Sequence, residues 1–204
     1  GGGNSQTQLN NPGSIIYDPL RDEVIVIDYD FGDSPTPWAP KILFFARTAS
    51  GNTAPLRVLK GAATQLGDTL GGVALNPLTQ ELFILAGTRN GADTSCRILV
   101  FPNGATTNGD VAPSRVISGP ATGLELTGNA YPTGLSWDAL NDRLLVGIDG
   151  SDASGTGSKV LAFGPNQSGN ATPPLTIGGA ATGFGLIGIP FAVPDRILRH
   201  GFDG

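Results

Sequence analysis

Apolar positions along this chain fall in short runs, separated by stretches rich in glycine, proline, asparagine and threonine. The runs Glu23–Ile27, Ile42–Phe45, Glu81–Leu85, Ile98–Phe101, Arg143–Ile148 and Val160–Phe163 are nearly unbroken and rich in β-branched and aromatic residues. Such runs predict strands covered on both faces. A shorter run precedes each pair, at Ser14–Tyr17, Val73–Leu75 and Leu135–Trp137, and another follows, at Leu56–Leu59, Ser114–Ile117 and Leu175–Ile177. Turns are predicted at Asp18-Pro19, Asn76-Pro77 and Asp138-Ala139, where Asx side chains and proline suit turn positions.

The same order of landmarks recurs. Tyr17-Asp18-Pro19-Leu20 returns as Leu75-Asn76-Pro77-Leu78 and Trp137-Asp138-Ala139-Leu140, at offsets of 58 and 62. Ala54-Pro55-Leu56-Arg57 returns as Ala112-Pro113-Ser114-Arg115 and Thr172-Pro173-Pro174-Leu175, at 58 and 60. Gly61-Ala62-Ala63-Thr64 returns as Gly119-Pro120-Ala121-Thr122 and Gly179-Ala180-Ala181-Thr182, also at 58 and 60. The chain therefore reads as three units of about 59 residues, each of four short strands a to d. The expected fold is all-β, made of β-propeller blades over 12–60, 71–118 and 133–178, with a partial fourth blade over 188–204. Three blades and a part do not close a propeller of about 4–8 blades. The expectation is an incomplete propeller, or part of an oligomeric or larger one. Thr7-Gln8-Leu9 matches Thr64-Gln65-Leu66, so the chain is expected to open in the tail of a preceding unit.

The motif of an apolar strand, Asp-Pro, a second strand, an aliphatic-Phe strand, then Gly-x-x-Ala-Pro-x-Arg resembles NHL-type and lactonase-like β-propellers of bacteria, over nearly the whole chain. The resemblance implies a fold that hosts enzymes, lectins and scaffolds alike. It also implies, for the lactonases, a metal held by acids and Asn near a central channel. Asp68, Glu125, Asn129 and Asn10 or Asn11 are the residues available there, and they do not recur in one register. The ending Arg196-Ile197-Leu198-Arg199-His200-Gly201-Phe202-Asp203-Gly204 resembles the tails of secreted proteobacterial proteins, which implies an extracellular or periplasmic location.

Composition narrows the picture. Glycine (31) and proline (16) are abundant among 204 residues, and charged residues are only 14%. This argues against helical bundles and coiled coils. The net charge of −5 would repel phosphate, so nucleic acid is an unsuitable partner. No apolar run approaches the roughly 20 residues of a membrane helix. The chain contains no Met and begins Gly1-Gly2-Gly3, as a processed product or a segment of something longer would. Cys96 is the sole cysteine and reads as a small buried apolar residue. The sole histidine, His200, lies in the tail, away from any Ser-His-Asp arrangement. Asn166-Gln167-Ser168 and Asn170-Ala171-Thr172 are glycosylation sequons.

The b–c loops (Asp28–Pro40, Ala86–Ser95 and Asp149–Ser158) and the d–a segments are expected to emerge on one face, the default binding surface. Asp28, Asp30, Asp33, Asp149 and Asp152 offer oxygens for calcium, the one cofactor suggested; the same residues equally build turns. Trp38, flanked by prolines, with Tyr29 and Tyr131, offers aromatic surface to a sugar or a partner chain, or packs on its own loop. Trp137 aligns with core positions. These features suggest a non-catalytic secreted module that binds a protein or glycan through its loops and self-associates or continues upstream. The alternatives are a lactonase- or lyase-type enzyme with site residues on absent blades, and a sugar-binding propeller.

Overall fold

The computed structural model describes residues 5–29, 39–150 and 157–179. Over these residues the protein is all-β, with three antiparallel sheets in chain order. The first contains β1 (Pro12–Asp18), β2 (Glu23–Asp28), β3 (Lys41–Ala46) and β4 (Arg57–Leu59). The second contains β5 (Thr69–Asn76), β6 (Glu81–Asn90), β7 (Asp93–Pro102), β8 (Arg115–Ile117) and the short β9 (Glu125–Leu126), which pairs with β7. The third contains β10 (Tyr131–Asp138), β11 (Arg143–Asp149), β12 (Lys159–Phe163) and β13 (Leu175–Gly178). Apart from β9, each strand pairs with its sequence neighbours within its sheet. The stretch over 188–204 lies outside the described residues, as do Asp30, Asp33, Trp38 and Asp152.

The first hairpin of every sheet is set by the same local chemistry. Asp18 Oδ1 accepts from Leu20 N at 2.9 Å, Asn76 Oδ1 from Leu78 N at 2.9 Å, and Asp138 Oδ1 from Leu140 N at 3.2 Å. These Asx turns explain why Asp or Asn recurs at this landmark. The Gly-Ala-Ala-Thr landmark is explained as well. It forms one-turn 3-10 helices at Ala62–Thr64 and Pro120–Thr122, in which the Thr64 and Thr122 hydroxyls each donate to the carbonyl three residues back at 2.6 Å.

The sheets pack face to face. Ile25, Ile27 and Phe44 of the first meet Leu82, Ile84 and Phe101 of the second. The opposite face of the second sheet presents Phe83, Leu85 and Val100 to Leu144, Val146 and Phe163 of the third. Both faces of β6 and β7 are thus covered, which is why their sequences lack polar alternation. Trp137 is buried in this second layer and stacks on Phe83 at 5.2 Å between ring centroids. Each such buried side chain contributes roughly 1.5–3 kcal/mol of burial free energy. The first strands β5 and β10 approach closely at Gly72, where a Cβ would stand 2.9 Å from the Leu135 nitrogen.

Neighbouring sheets are also tied by backbone. Gly109, in the loop between β7 and β8, donates to Val58 O at 2.7 Å and accepts from Lys60 N at 3.1 Å. One sheet further on, Gly169 donates to Val116 O at 2.7 Å and accepts from Ser118 N at 3.0 Å. Both glycines are left-handed, with φ of 74° and 65°. The adjoining side chain completes the contact: Asp110 accepts from Ala63 N and Asn170 from Ala121 N, each at 2.7 Å. An arginine reinforces each junction. Arg57 pairs with Glu23, stacks 3.8 Å over Phe44, and donates to Gly104 O at 2.7 Å. Arg115 pairs with Glu81 at 2.8 Å and donates to Gln167 O at 2.8 Å. The third sheet breaks this pattern. Leu175 stands where the arginines stand, and Arg143 replaces the glutamates and pairs with Asp138 at 2.8 Å.

One expectation is corrected. Ala86–Ser95 is not an irregular loop: β6 and β7 continue through it as a hairpin, with Thr88 opposite Ser95 and Arg89 opposite Thr94, and Gly91 at φ 64° in the turn. The threonines favour extended backbone, and β9 pairs beside Thr94 and Ser95, so strand pairing outweighs the loop-like composition.

Candidate functional site

The b–c and d–a segments meet at two concavities. The larger, of about 600 Å³, lies between the end of the first b–c segment and the turn after β4, and is lined by Ala39, Pro40, Lys60, Gly61, Gln65 and Arg97, among others. The second, of about 420 Å³, is lined chiefly by Glu125, Thr127, Ala130, Gly150, Gly157 and Lys159. It shares two equivalent positions with the first, Glu125 for Gly67 and Lys159 for Arg97.

A basic residue opens each aliphatic-Phe run, and two of the three line these concavities. Lys41, Arg97 and Lys159 occupy that position in turn. Lys41 is buried and lies 3.6 Å from Asp28. Arg97 Nε donates to Gln65 O at 2.9 Å, and both terminal nitrogens reach Thr88 Oγ1 at 3.3 Å. Burial lowers its pKa, as it does that of Lys159, yet a guanidinium stays charged at neutral pH. Among the described residues no ion pair reaches Lys60, Arg97 or Lys159. The larger concavity is lined by the cations Lys60 and Arg97, with two carboxylates beside it, Asp68, whose charge bears on Arg97, and Asp110, which lies against Gly61. The composition drew attention to acids and aromatics. The basic position was visible as a repeat, but only the fold shows that two of its members border hollows.

The residues singled out from the sequence are spread over separate places. Asp28 is buried at the end of β2, and its Oδ2 accepts from Asn10 N at 2.8 Å and Asn11 N at 3.2 Å, holding the N-terminal segment. Asp149 is buried two sheets away and accepts from the Tyr131 hydroxyl at 3.0 Å. That hydrogen bond raises the Tyr131 pKa. Tyr131 is otherwise exposed at the start of β10. Tyr29 is half-buried against the layer between the first two sheets and lies over Gly13, and burial raises its pKa. No group of three or more His, Cys, Asp or Glu side chains suited to a metal occurs among the described residues. Among them, no helix is long and apolar enough to cross a membrane.

No family model matches this sequence, and no curated protein matches it. Among solved structures it is similar to that titled the crystal structure of the Saccharomyces cerevisiae Sqt1, with 12% identity and a TM-score of 0.47. The match covers 82% of this chain and 35% of that one. This chain thus spans about a third of the length of that protein.

Proposed function

We propose that the three sheets are blades of a β-propeller of NHL-like type, and that the protein is a secreted bacterial, non-catalytic module that binds a protein or glycan on its loop face. The observation that carries the reading is the repeated junction: each sheet docks on its predecessor through the same glycine loop, while β5 contacts both β1 and β10. First strands held together at every step are what a radial arrangement requires. The loop segments then gather on one face around concavities large enough for a sugar or a few side chains. The larger is the favoured site, since Lys60 and Arg97 give it charge to select acidic groups.

Screening against arrays of neutral and acidic oligosaccharides and of peptides tests this directly. Binding is expected to favour acidic ligands, to weaken with salt, and to fall at least tenfold in Lys60→Ala/Arg97→Gln. Silence on every array, or binding that the double variant leaves unchanged, removes the reading.

A further inference from the structure

Three asparagines in this chain are each followed by glycine: Asn90-Gly91, Asn103-Gly104 and Asn108-Gly109. Asparagine is a chemically labile residue. The backbone nitrogen of the next residue can attack its side-chain carbonyl carbon, and a glycine there has no Cβ to obstruct the approach. The attack needs a side-chain amide free to turn and a glycine N–H free of other bonds, since an N–H that already donates must first give up that bond. The fold supplies these conditions unequally.

Asn103 has neither. It is buried at 2% exposure, its Nδ2 donates to Asp18 Oδ2 at 2.7 Å, and its Oδ1 accepts from Arg57 Nη2 at 3.2 Å. Gly104 N donates to Pro102 O at 3.0 Å. Asn108 is exposed but held. Its Oδ1 accepts from Val58 N at 3.0 Å, and Gly109 N donates to Val58 O at 2.7 Å. Asn90 differs on both counts. It ends β6 opposite Asp93, at the exposed tip of the β6–β7 hairpin, where Gly91 at φ 64° opens a two-residue turn. Neither its side chain nor Gly91 N makes a hydrogen bond to another described residue. A Cβ at Gly91 would meet nothing within 4 Å, so the approach is open.

We propose that Asn90 is a site of spontaneous deamidation, converted to aspartate and isoaspartate with solvent water as the only co-reactant. Gly91 N bonds to Asn90 Cγ as the Cγ–Nδ2 bond breaks. The Gly91 proton leaves with the amide nitrogen as ammonia, and a succinimide ring remains. Water then opens the ring. Cleavage of the new N–Cγ bond gives aspartate; cleavage at the main-chain carbonyl carbon gives isoaspartate, in which the chain runs through Cβ and Cγ. Both products add a carboxylate to the hairpin tip. Isoaspartate also lengthens the main chain by one carbon beside a tight turn. That turn carries a docking contact: Ala92 O accepts from Asn129 N at 2.7 Å, and Asp93 Oδ1 from Gly128 N at 3.3 Å, tying the tip to the segment before β10. The extra carbon shifts Ala92 and Asp93 relative to β6 and loosens this clasp.

Incubation of the full chain at pH 6 and pH 9, followed by digestion and mass spectrometry with electron-transfer fragmentation, locates each product. Asn90 is expected to convert at least tenfold faster than Asn103 or Asn108 in the native chain, and faster at pH 9, because the attacking nitrogen must lose its proton. In urea the three steps are expected to react alike, since the fold and not the dipeptide selects among them. Asn90→Gln is expected to remove most of the ammonia that the native chain releases. The isoaspartyl form, separated by ion exchange, is expected to exchange the Asn129 amide faster than the parent, with the Leu99 amide unchanged. Conversion of Asn90 no faster than that of the other two in the native chain, or ammonia release that Asn90→Gln leaves as it was, overturns the proposal. An isoaspartyl chain whose Asn129 exchanges as in the parent overturns the loosening of the clasp.

Discussion

Cys96 sits in the layer between the second and third sheets at 2% exposure, and its surroundings decide its chemistry. Burial, aided by the nearby Glu125, pushes the thiol from its ordinary 9.0 up to about 12. The native state therefore keeps this proton where the unfolded chain releases it. Stability from this group is full below the unfolded value and falls as pH rises through the interval from about 9 to about 12, by roughly 1.4 kcal/mol per pH unit. Urea titrations at pH 8 and 10 are expected to show a steeper loss for the parent chain than for Cys96→Ala, and equal slopes would count against this account. Arg57 offers a second test. With Glu23 it forms a nearly buried pair, the two side chains 10% and 12% exposed. Arg57→Ala leaves Glu23 without its cation and costs about 3–5 kcal/mol in urea unfolding, whereas Arg115→Ala, whose Glu81 is 24% exposed, costs less. Glu23→Gln added to Arg57→Ala should recover part of the loss; no recovery would mean that the stacking on Phe44 dominates.

Among the elements, the left-handed glycine of the c–d loop joins sequence to assembly most directly. A Cβ at Gly109 meets nothing within 4 Å, so the penalty of Gly109→Ala comes from its φ of 74° alone. The expected cost is about 1–2 kcal/mol, measured by thermal unfolding. Gly72→Ala has the opposite cause: its φ is ordinary, but the new Cβ would press on the Leu135 backbone and part β5 from β10. This contrast shows what the sequence makes legible. Features that depend on neighbours in the chain were readable: the Asx turns at Asp18, Asn76 and Asp138, the apolar runs of β6 and β7, and the burial of Trp137. Features that join residues some 50 positions apart were not. Val58 N donates to Asn108 Oδ1, and Arg57 reaches Gly104, only because the repeat brings each loop back onto the preceding sheet. The same holds for the candidate site, where Lys60 and Arg97 border one hollow from different sheets while the acids chosen from the sequence, so far as they are described, lie apart.

For the whole molecule, the order of local opening follows from how many faces each sheet has covered. The second sheet has neighbours on both sides, and the central residues Leu82–Leu85 and Ile98–Phe101 are almost fully buried. Amide exchange there is expected to require global unfolding and to be slowest. At the other extreme is β13, whose four residues are all exposed although its inner edge is paired with β12. Its counterpart β8 has the same inner pairing and differs in being clasped by Gly169 on the outer edge. The difference in protection between β8 and β13 therefore measures what a docked glycine loop contributes. In dilute solution β13 should exchange well ahead of β8. Protection of Gly178 equal to that of Ser118, its counterpart, would show that the outer edge of β13 is covered as that of β8 is and would count against this ordering.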